Sequence, residues 1–251
     1  MTYLALDIAT VTGWVFFNND VLVEKGSIHI PSTMTLPQRI NYFYLELKQL
    51  TERLHPEYCF IEDIIMGISG VKTVSYLSRL NGVAINVMYM FLQDNLKLYT
   101  PTHWKAKSFP TINGRAKKWE IQRAALIQLN IPVIGVHETI QSLINKKTLD
   151  IQVIQIQMDE LRDIIQKSKS KLISKKNPVN DDDKIQLTNT IKESEKILLN
   201  LKKNIKLIEK DYDKKFIKVS SDIAAQTGIT TDIADACGIA YCGYLEYLQE
   251  H

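Results

Sequence analysis

Cysteine is scarce in this sequence, with three residues among 251, and none of the three belongs to a CxxC pair. This scarcity argues against a disulfide framework, and two of the cysteines lie in apolar patterns that favour reduced core residues in a cytosol-like compartment. No apolar run approaches the ~18 residues of a membrane span, and the N-terminal residues lack the pattern of a signal peptide. We therefore expect a cytoplasmic protein that does not enter a membrane.

Glycine is absent between His137 and Phe216, where Pro178 is the single proline. Apolar residues in this stretch recur at alternating spacings of three and four, which is typical of coiled-coil helices. They are Ile140, Ile144, Ile151, Ile154, Met158, Leu161, Ile165 and Leu172 on a first arm, and Leu187, Ile191, Leu198, Leu201, Ile205, Ile208 and Tyr212 on a second. The turn residues of NPVNDDD separate the arms. We expect an antiparallel coiled-coil hairpin with arms ~60 Å long.

The strand-and-helix pattern of the rest of the chain stops before this hairpin and resumes after it. We therefore predict a hairpin inserted at 137–216 into a domain made of 1–136 and 217–251. The net charge of +3 is too small to indicate a partner, but its distribution is uneven. The segment 139–216 holds 17 basic and 12 acidic residues, against 14 and 16 in the remainder. A basic arm that binds DNA and an ordinary solvated coiled coil both fit this excess.

Short apolar runs bounded by turn residues predict five strands, separated by helical patterns that include 36–54 and 71–92. The runs are TYLALDI, GWVFF, VLVEKGSIHI, YCFIED and LKLYT. Asp7 lies in the first run, which is otherwise apolar, and Glu62 lies at the end of the fourth. A buried acid costs free energy unless it is paired or binds a metal. If these two strands are adjacent and parallel, Asp7 and Glu62 lie near one another in the middle of a sheet.

Two further acids, Asp232 and Asp235, stand three positions apart at the start of the C-terminal helical pattern TTDIADACGIAYCGYLEYL. Acids in a first helical turn complement the helix dipole, so simple capping is one interpretation. Residues at i and i+3 are neighbours on a helix, however, and two carboxylates there repel unless a cation lies between them. If this helix packs across Asp7 and Glu62, four carboxylates meet. Such a set suits paired Mg²⁺ or Mn²⁺ ions and phosphodiester cleavage.

The order LDIATVTGW, FIED, DIADACGIA resembles the RuvC family of Holliday-junction resolvases in the RNase H-like superfamily, and its phage-type members in particular. The resemblance implies an α/β fold with a mixed five-stranded sheet flanked by helices. It also implies a crossover junction endodeoxyribonuclease that cuts four-way DNA junctions by paired nicks. Two Mg²⁺ ions per site, or Mn²⁺ as a substitute, would be held by Asp7, Glu62, Asp232 and Asp235. The enzyme would be a homodimer in the cytoplasm of a bacterium or of a phage-infected host.

Other segments extend the resemblance. PTHWKAKSFPTINGRAKKWEIQ is similar to the family's DNA-backbone contact, with Lys105 and Lys118 as the matching lysines and Arg115 and Lys117 as added charge. A solvated helix face with core tryptophans is the alternative for this segment. VSYLSRLNGVAINVMYM resembles the family's dimerisation helix, and it is equally a core helix of the domain.

One departure from the family lies just after Glu62. Family enzymes often carry an aromatic residue there, whereas this sequence has Asp63-Ile64-Ile65-Met66. Ile65 or Met66 is the candidate apolar wedge for the junction, and Asp63 is an extra acid that faces solvent or supports the metal ligands. Two other functions stay open: a nuclease directed at branches or flaps in replicating phage DNA, and a non-catalytic core that carries a DNA-binding coiled coil.

Overall fold

The computed structural model describes residues 1–64, 70–110, 117–131, 136–173 and 180–250. Contacts divide the chain into two compact units, one of residues 1–133 with 220–251 and the other of residues 134–219. Among the described helices, none combines the length and the apolarity of a membrane span. The assignment of these units as a nuclease domain and an inserted hairpin stays a prediction.

The first unit contains one sheet of five strands. They are β1 (Thr2–Asp7), β2 (Val11–Asn18), β3 (Val21–His29), β4 (Tyr58–Glu62) and β5 (Leu96–Tyr99). Their order across the sheet is β3-β2-β1-β4-β5. The β1–β2 and β2–β3 pairs are antiparallel, whereas β1–β4 and β4–β5 are parallel. The predicted mixed five-stranded sheet is therefore confirmed, with both acid-bearing strands side by side at its centre.

Seven α-helices and one short 3-10 helix (Gln93–Asn95) complete the described chain. The α-helices are α1 (Leu36–Leu54), α2 (Val71–Leu92), α3 (Pro101–Ser108), α4 (Lys118–Gln128), α5 (Val136–Ile173), α6 (Asp181–Thr227) and α7 (Thr231–Glu250). Helices α1 and α2 cover one face of the sheet, where Leu4 and Leu6 of β1 join a core with Phe43 and Leu80. Side chains alternate along a strand, so the odd-numbered residues of β1 face the other way. Tyr3 accordingly stacks on Tyr244 of α7, with ring centroids 5.7 Å apart.

Helix α7 packs unusually close to the sheet because glycines stand at its contacts. A Cβ atom on Gly243 would lie 2.4 Å from the ring carbons of Phe60 on β4. The aromatic ring therefore occupies the place of the missing side chain. Since Phe60 and Glu62 are two residues apart on one strand, Glu62 faces α7 as well.

The second unit is a two-helix hairpin. Tyr212 donates a hydrogen bond of 2.7 Å to Asp150, and Lys169 forms an ion pair of 2.9 Å with Glu195. Asp150 pairs with the later part of α6 and Lys169 with an earlier part, so the two helices run antiparallel. Every residue predicted for the two apolar seams is buried or half-buried. Lys175 and Lys176, which the sequence places near the tip, lie outside the described residues.

We predict that Gly243→Ala destabilises the protein by about 1–3 kcal/mol through overpacking against Phe60, although alanine is the better helix former. Phe60→Leu should remove most of that clash, so the double variant should lose less stability than the sum of the two single variants. Urea unfolding of the wild type and the three variants measures this. A Gly243→Ala variant as stable as the wild type would contradict the close approach.

Candidate functional site

Asp7 and Glu62 lie at the carboxyl ends of two neighbouring parallel strands. Leu6 pairs with Ile61 in the β1–β4 register, so the two acids occupy the next position of each strand. Both side chains point to the face of the sheet that α7 covers, by the alternation described above. The central strand pair thus brings Asp7 and Glu62 together, as the sequence predicted.

Gly13 of β2 determines how the third and fourth acids reach this point. It pairs with Asp7 in the β1–β2 register. A Cβ atom on Gly13 would lie 2.3 Å from the backbone carbonyl carbon and oxygen of Asp232, and 2.8 Å from the backbone nitrogen of Ile233. The first turn of α7 therefore rests directly on the strand backbone beside Asp7. The sequence interpretation placed Gly13 at the start of the run GWVFF and gave it no role in the site, although a glycine inside a strand is itself a signal of close backbone approach.

Buried Gln122 of α4 holds the chain that leads into α7. Its Nε2 donates hydrogen bonds to the backbone oxygens of Ile229, at 2.6 Å, and Ser220, at 3.2 Å. Ser220 in turn donates from its hydroxyl to the Gln122 side-chain oxygen. Gly228, with φ of +67°, makes the turn between α6 and α7. These contacts fix where α7 begins, and the sequence interpretation did not identify Gln122.

The carboxylates interact strongly with one another. Burial, followed by the charges of Asp235 and Glu62, raises the pKa of Asp7 well above its ordinary value. Burial is also the main cause that raises the pKa of Asp235 to about 7; nearby lysines lower it, and the acids Glu62 and Asp232 raise it further. Burial raises the pKa of Glu62 as well, against the hydrogen bond from Trp104. The charges of the neighbouring acids thus disfavour the ionisation of Asp7 and of Asp235.

The carboxylates of this site have few cationic partners among the described residues. Asp235 is 8% exposed, and its buried Oδ1 atom has no hydrogen-bond partner in the part of the chain that the structure describes. Asp232 has one partner, Lys118, whose Nζ lies 3.0 Å from its Oδ1. A cluster of carboxylate oxygens, one of them unpaired and buried, fits a hard divalent cation such as Mg²⁺. The residues present are therefore suited to hold the predicted metal.

Trp104 of α3 anchors Glu62. Its indole Nε1 donates a hydrogen bond of 2.8 Å to Glu62 Oε2, and the tryptophan side chain is fully buried. Asn81 of α2 donates to the backbone oxygen of Glu62 at 3.0 Å. The sequence interpretation placed Trp104 beside a basic segment or in the core and missed its contact with the acid. A buried indole N–H needs an acceptor, and that requirement was the available signal.

The predicted DNA-binding residues are only partly described. Lys118 pairs with Asp232, as stated above, and Lys105 lies over the Trp104 ring, 5.1 Å from its centroid. Lys117 is exposed at the start of α4. Burial lowers the pKa of Lys118, yet the hydrogen bond to Asp232 and the surrounding acids raise it above its ordinary value overall.

Three predicted residues, Arg115, Ile65 and Met66, lie outside the described residues. Asp63 is among the described residues and directly follows β4. Its Oδ1 accepts a hydrogen bond of 2.8 Å from the backbone N–H of Ile64, so this acid organises the chain that leaves β4.

Comparisons with known proteins agree on one family. The family model described as crossover junction endodeoxyribonuclease RuvC matches residues 16–144, just over half of the chain. The RuvC enzyme of Chloroflexus aurantiacus is 33% identical over 139 residues, which are 53% of this chain and 82% of the relative. That of Alkaliphilus oremlandii is 28% identical over 114 residues, 45% of this chain and 67% of the relative.

A solved structure is also similar: Thermus thermophilus RuvC in complex with a Holliday junction substrate, at 14% identity and a TM-score of 0.45, over 53% of this chain and 82% of that one. The segment matched by the family model includes Glu62 but begins after Asp7 and ends before Asp232. The metal-binding roles of Asp7, Glu62, Asp232 and Asp235 therefore stay predictions.

We predict that metal-free protein loses stability as the pH rises from about 4 to about 8. The folded pKa of Asp235, about 7, lies above the ordinary value of 3.8, so the native state binds more protons than the unfolded state. The resulting stabilisation is complete at low pH and is lost as the pH passes through the folded pKa. Asp235→Asn should flatten this profile and, in EDTA at pH 8, unfold with a free energy higher by on the order of 2 kcal/mol.

Thermal unfolding in EDTA from pH 4 to pH 8 measures this, with Asp222→Asn, an exposed acid of α6 outside the cluster, as the matched control. Added Mg²⁺ should restore stability to the wild type at pH 8. An Asp235→Asn variant that is less stable than the wild type at pH 8 would contradict the repulsive cluster.

Proposed function

Because this chain belongs to the RuvC family of crossover junction endodeoxyribonucleases, we propose that it resolves four-way DNA junctions by paired symmetric nicks. The observation that carries this proposal is the buried carboxylate cluster at the carboxyl ends of β1 and β4, with Asp235 Oδ1 lacking a hydrogen-bond partner among the described residues. Branched DNA is its partner, and its place is the cytoplasm of a bacterium or of a phage-infected host.

Asp7, Glu62, Asp232 and Asp235 would hold two Mg²⁺ ions, or Mn²⁺ in their place. When bound, the ions supply an activated water and stabilisation of the leaving oxygen of the phosphodiester. The chain's own residues set the positions of the ligands. Trp104 fixes one oxygen of Glu62, and Gly13 admits the backbone of Asp232 to the sheet.

The lysines beside the cluster are placed to neutralise the DNA backbone. Lys118 already reaches Asp232. Lys105 lies over the ring of Trp104, whose indole nitrogen binds Glu62. Once a cation neutralises Asp232, the ammonium group of Lys118 is free to bind a phosphate beside the scissile bond. Lys117, and Arg115 outside the described residues, would add to this basic surface. Each phosphate contact contributes affinity that weakens as salt rises.

We propose a homodimer in which α2 of each protomer packs against the other. A junction presents two equivalent strands, so two active sites related by a two-fold axis match it. The outer face of α2 exposes Tyr89 and Met90, at 58% and 64%. Gly82 lies on the exposed surface of the same helix, and nothing stands within 4 Å of a Cβ atom built on it. A glycine with open space above it permits close approach of a second helix.

The hairpin is the arm proposed to bind DNA beyond the junction centre. Lys202, Lys203 and Lys206 are exposed on α6, as are Lys167 and Lys171 near the end of α5. Lys169 is engaged with Glu195 inside the hairpin.

A second role, packing between the hairpins of two protomers, is favoured by a different observation. Leu149, Val153 and Ile156 form an exposed row on α5, with 60%, 51% and 61% of each accessible. Their spacings of four and three are those of a coiled-coil seam.

The catalytic prediction concerns Asp7→Asn, Glu62→Gln and Asp235→Asn. Each should reduce cleavage of a mobile four-way junction to background in Mg²⁺, because a lost ligand charge removes metal binding. Junction binding should persist or tighten, since repulsion toward phosphates is relieved.

The matched control is Asp63→Asn, whose amide oxygen still accepts the Ile64 N–H, and which should cut at close to the wild-type rate. A flap and a linear duplex assayed side by side separate junction resolution from branch-directed cleavage. Near-wild-type cutting by all three ligand variants would show that the site is wrongly assigned.

The dimer prediction uses Gly82→Arg. The open space above Gly82 lets the fold accept the new side chain, but a bulky charge in the α2–α2 contact should convert the dimer to a monomer. Light scattering gives the mass, and Gln49→Arg on the exposed face of α1 is the control that should leave it unchanged. A Gly82→Arg variant with dimer mass would exclude this interface.

A deletion variant that joins residue 136 to residue 217 through a short Gly-Ser linker tests the role of the hairpin. The DNA-arm role predicts a soluble, metal-dependent nuclease of unchanged dimer mass that binds junctions more weakly. Conversion to a monomer would instead support packing between hairpins. An insoluble product would mean that residues 137–216 belong to the core.

A further inference from the structure

A second group of side chains with metal-ligand atoms lies outside the carboxylate cluster. His103 of α3 and Cys242 and Glu246 of α7 each offer one ligand atom, and these atoms all lie within 4.8 Å of one another. Cys242 and Glu246 are four residues apart, so they share one face of α7. His103 Nε2 already lies 2.8 Å from Glu246 Oε1. The three side chains converge from two separate helices.

The chemistry of this group differs from that of the nuclease site. An imidazole nitrogen, a thiolate sulfur and a carboxylate oxygen together are ligands of Zn²⁺, whereas Mg²⁺ takes oxygen ligands. We propose that His103, Cys242 and Glu246 bind one Zn²⁺ ion, with water in the fourth position. The ion would take the place of the hydrogen bond between His103 and Glu246.

The surroundings orient these ligands as the neighbours of a metal site do. Tyr99 donates a hydrogen bond of 2.8 Å to Glu246 Oε2, which leaves Oε1 for the metal. The Tyr99 ring also stacks on His103, with centroids 5.6 Å apart and an interplanar angle of 8°. Partners of this kind fix the orientation of metal ligands. Lys107 Nζ is 3.5 Å from Glu246 Oε1 but has a closer partner in Gln249, at 2.9 Å.

The thiol of Cys242 is fully buried, and burial is the main cause that raises its pKa to about 12. Metal binding must therefore displace a proton from sulfur, and the affinity for Zn²⁺ should rise with pH.

The position of the site indicates a bracing role. Eleven residues separate Asp235 from Glu246, which is ~16 Å along an α-helix, so the two metal sites are distinct. His103 is adjacent to Trp104, whose indole holds Glu62. A Zn²⁺ ion that joins α3 to the last turns of α7 would therefore fix the wall of the carboxylate cluster. Zinc binding itself does not depend on the proposed nuclease activity.

Cobalt substitution in the full-length protein tests this site directly. Metal-free protein titrated with Co²⁺ in excess Mg²⁺, which occupies the carboxylate cluster, should show a thiolate-to-cobalt charge-transfer band that saturates at one equivalent. Cys242→Ala should abolish the band. Cys237→Ala, which removes a second buried thiol from the same helix, should retain it. Co²⁺ bound by the four carboxylates has no sulfur ligand and gives no such band, so the two sites are distinguished.

Zinc affinity, measured by competition with a chromophoric chelator, provides the second readout. His103→Ala changes a half-exposed side chain that the fold tolerates, and it should weaken Zn²⁺ binding by more than about tenfold. Tyr99→Phe should weaken it less. Stoichiometric Zn²⁺ should also raise the unfolding temperature of the wild type but not of His103→Ala. The absence of a thiolate band in the wild type, or equal zinc affinity in His103→Ala, would overturn the proposal and leave a hydrogen-bonded cluster only.

Discussion

The burial of several carboxylates at one place is the constraint on which the rest of the first unit depends. Asp7, Glu62 and Asp235 each have a pKa raised above the ordinary value, with burial as the largest cause in every case. A chain folds with such acids together only if surrounding structure holds them there. That structure is the central parallel strand pair, the glycine contact under α7, and the buried indole that binds Glu62.

The same constraint explains why the supporting residues come from so many parts of the chain. Gly13 is on β2, Trp104 on α3 and Gln122 on α4, and each fixes one ligand or the start of one helix. None of them needs to touch a metal. Their effect is to limit how far the carboxylates can separate. Because the carboxylates cannot move apart, a bound cation would be what relieves the repulsion between them. Stability given up at the cluster in this way is a common property of active sites.

Much of this arrangement was predictable from the sequence, and the physical reasons are specific. Asp7 and Glu62 stand out because they are acids in apolar strands, and Asp232 and Asp235 because their spacing puts like charges together. The seams of the hairpin follow from heptad spacing. The predicted end of the hairpin at Phe216 is not a helix end, because α6 continues to Thr227 and stops only before Gly228, where a positive φ breaks it. For Gly13 and Trp104 the sequence signals a close approach or a needed acceptor but not the partner, and for Gln122 it gives no signal. In each case the partner lies more than 40 residues away along the chain.

If divalent cations occupy the carboxylate cluster, anomalous scattering from crystals of the full-length protein soaked in Mn²⁺ locates them directly. We predict two Mn²⁺ peaks among Asp7, Glu62, Asp232 and Asp235, with Lys118 withdrawn from Asp232. A crystal that binds Mn²⁺ elsewhere, while this cluster stays empty and the Lys118–Asp232 pair stays closed, would contradict it.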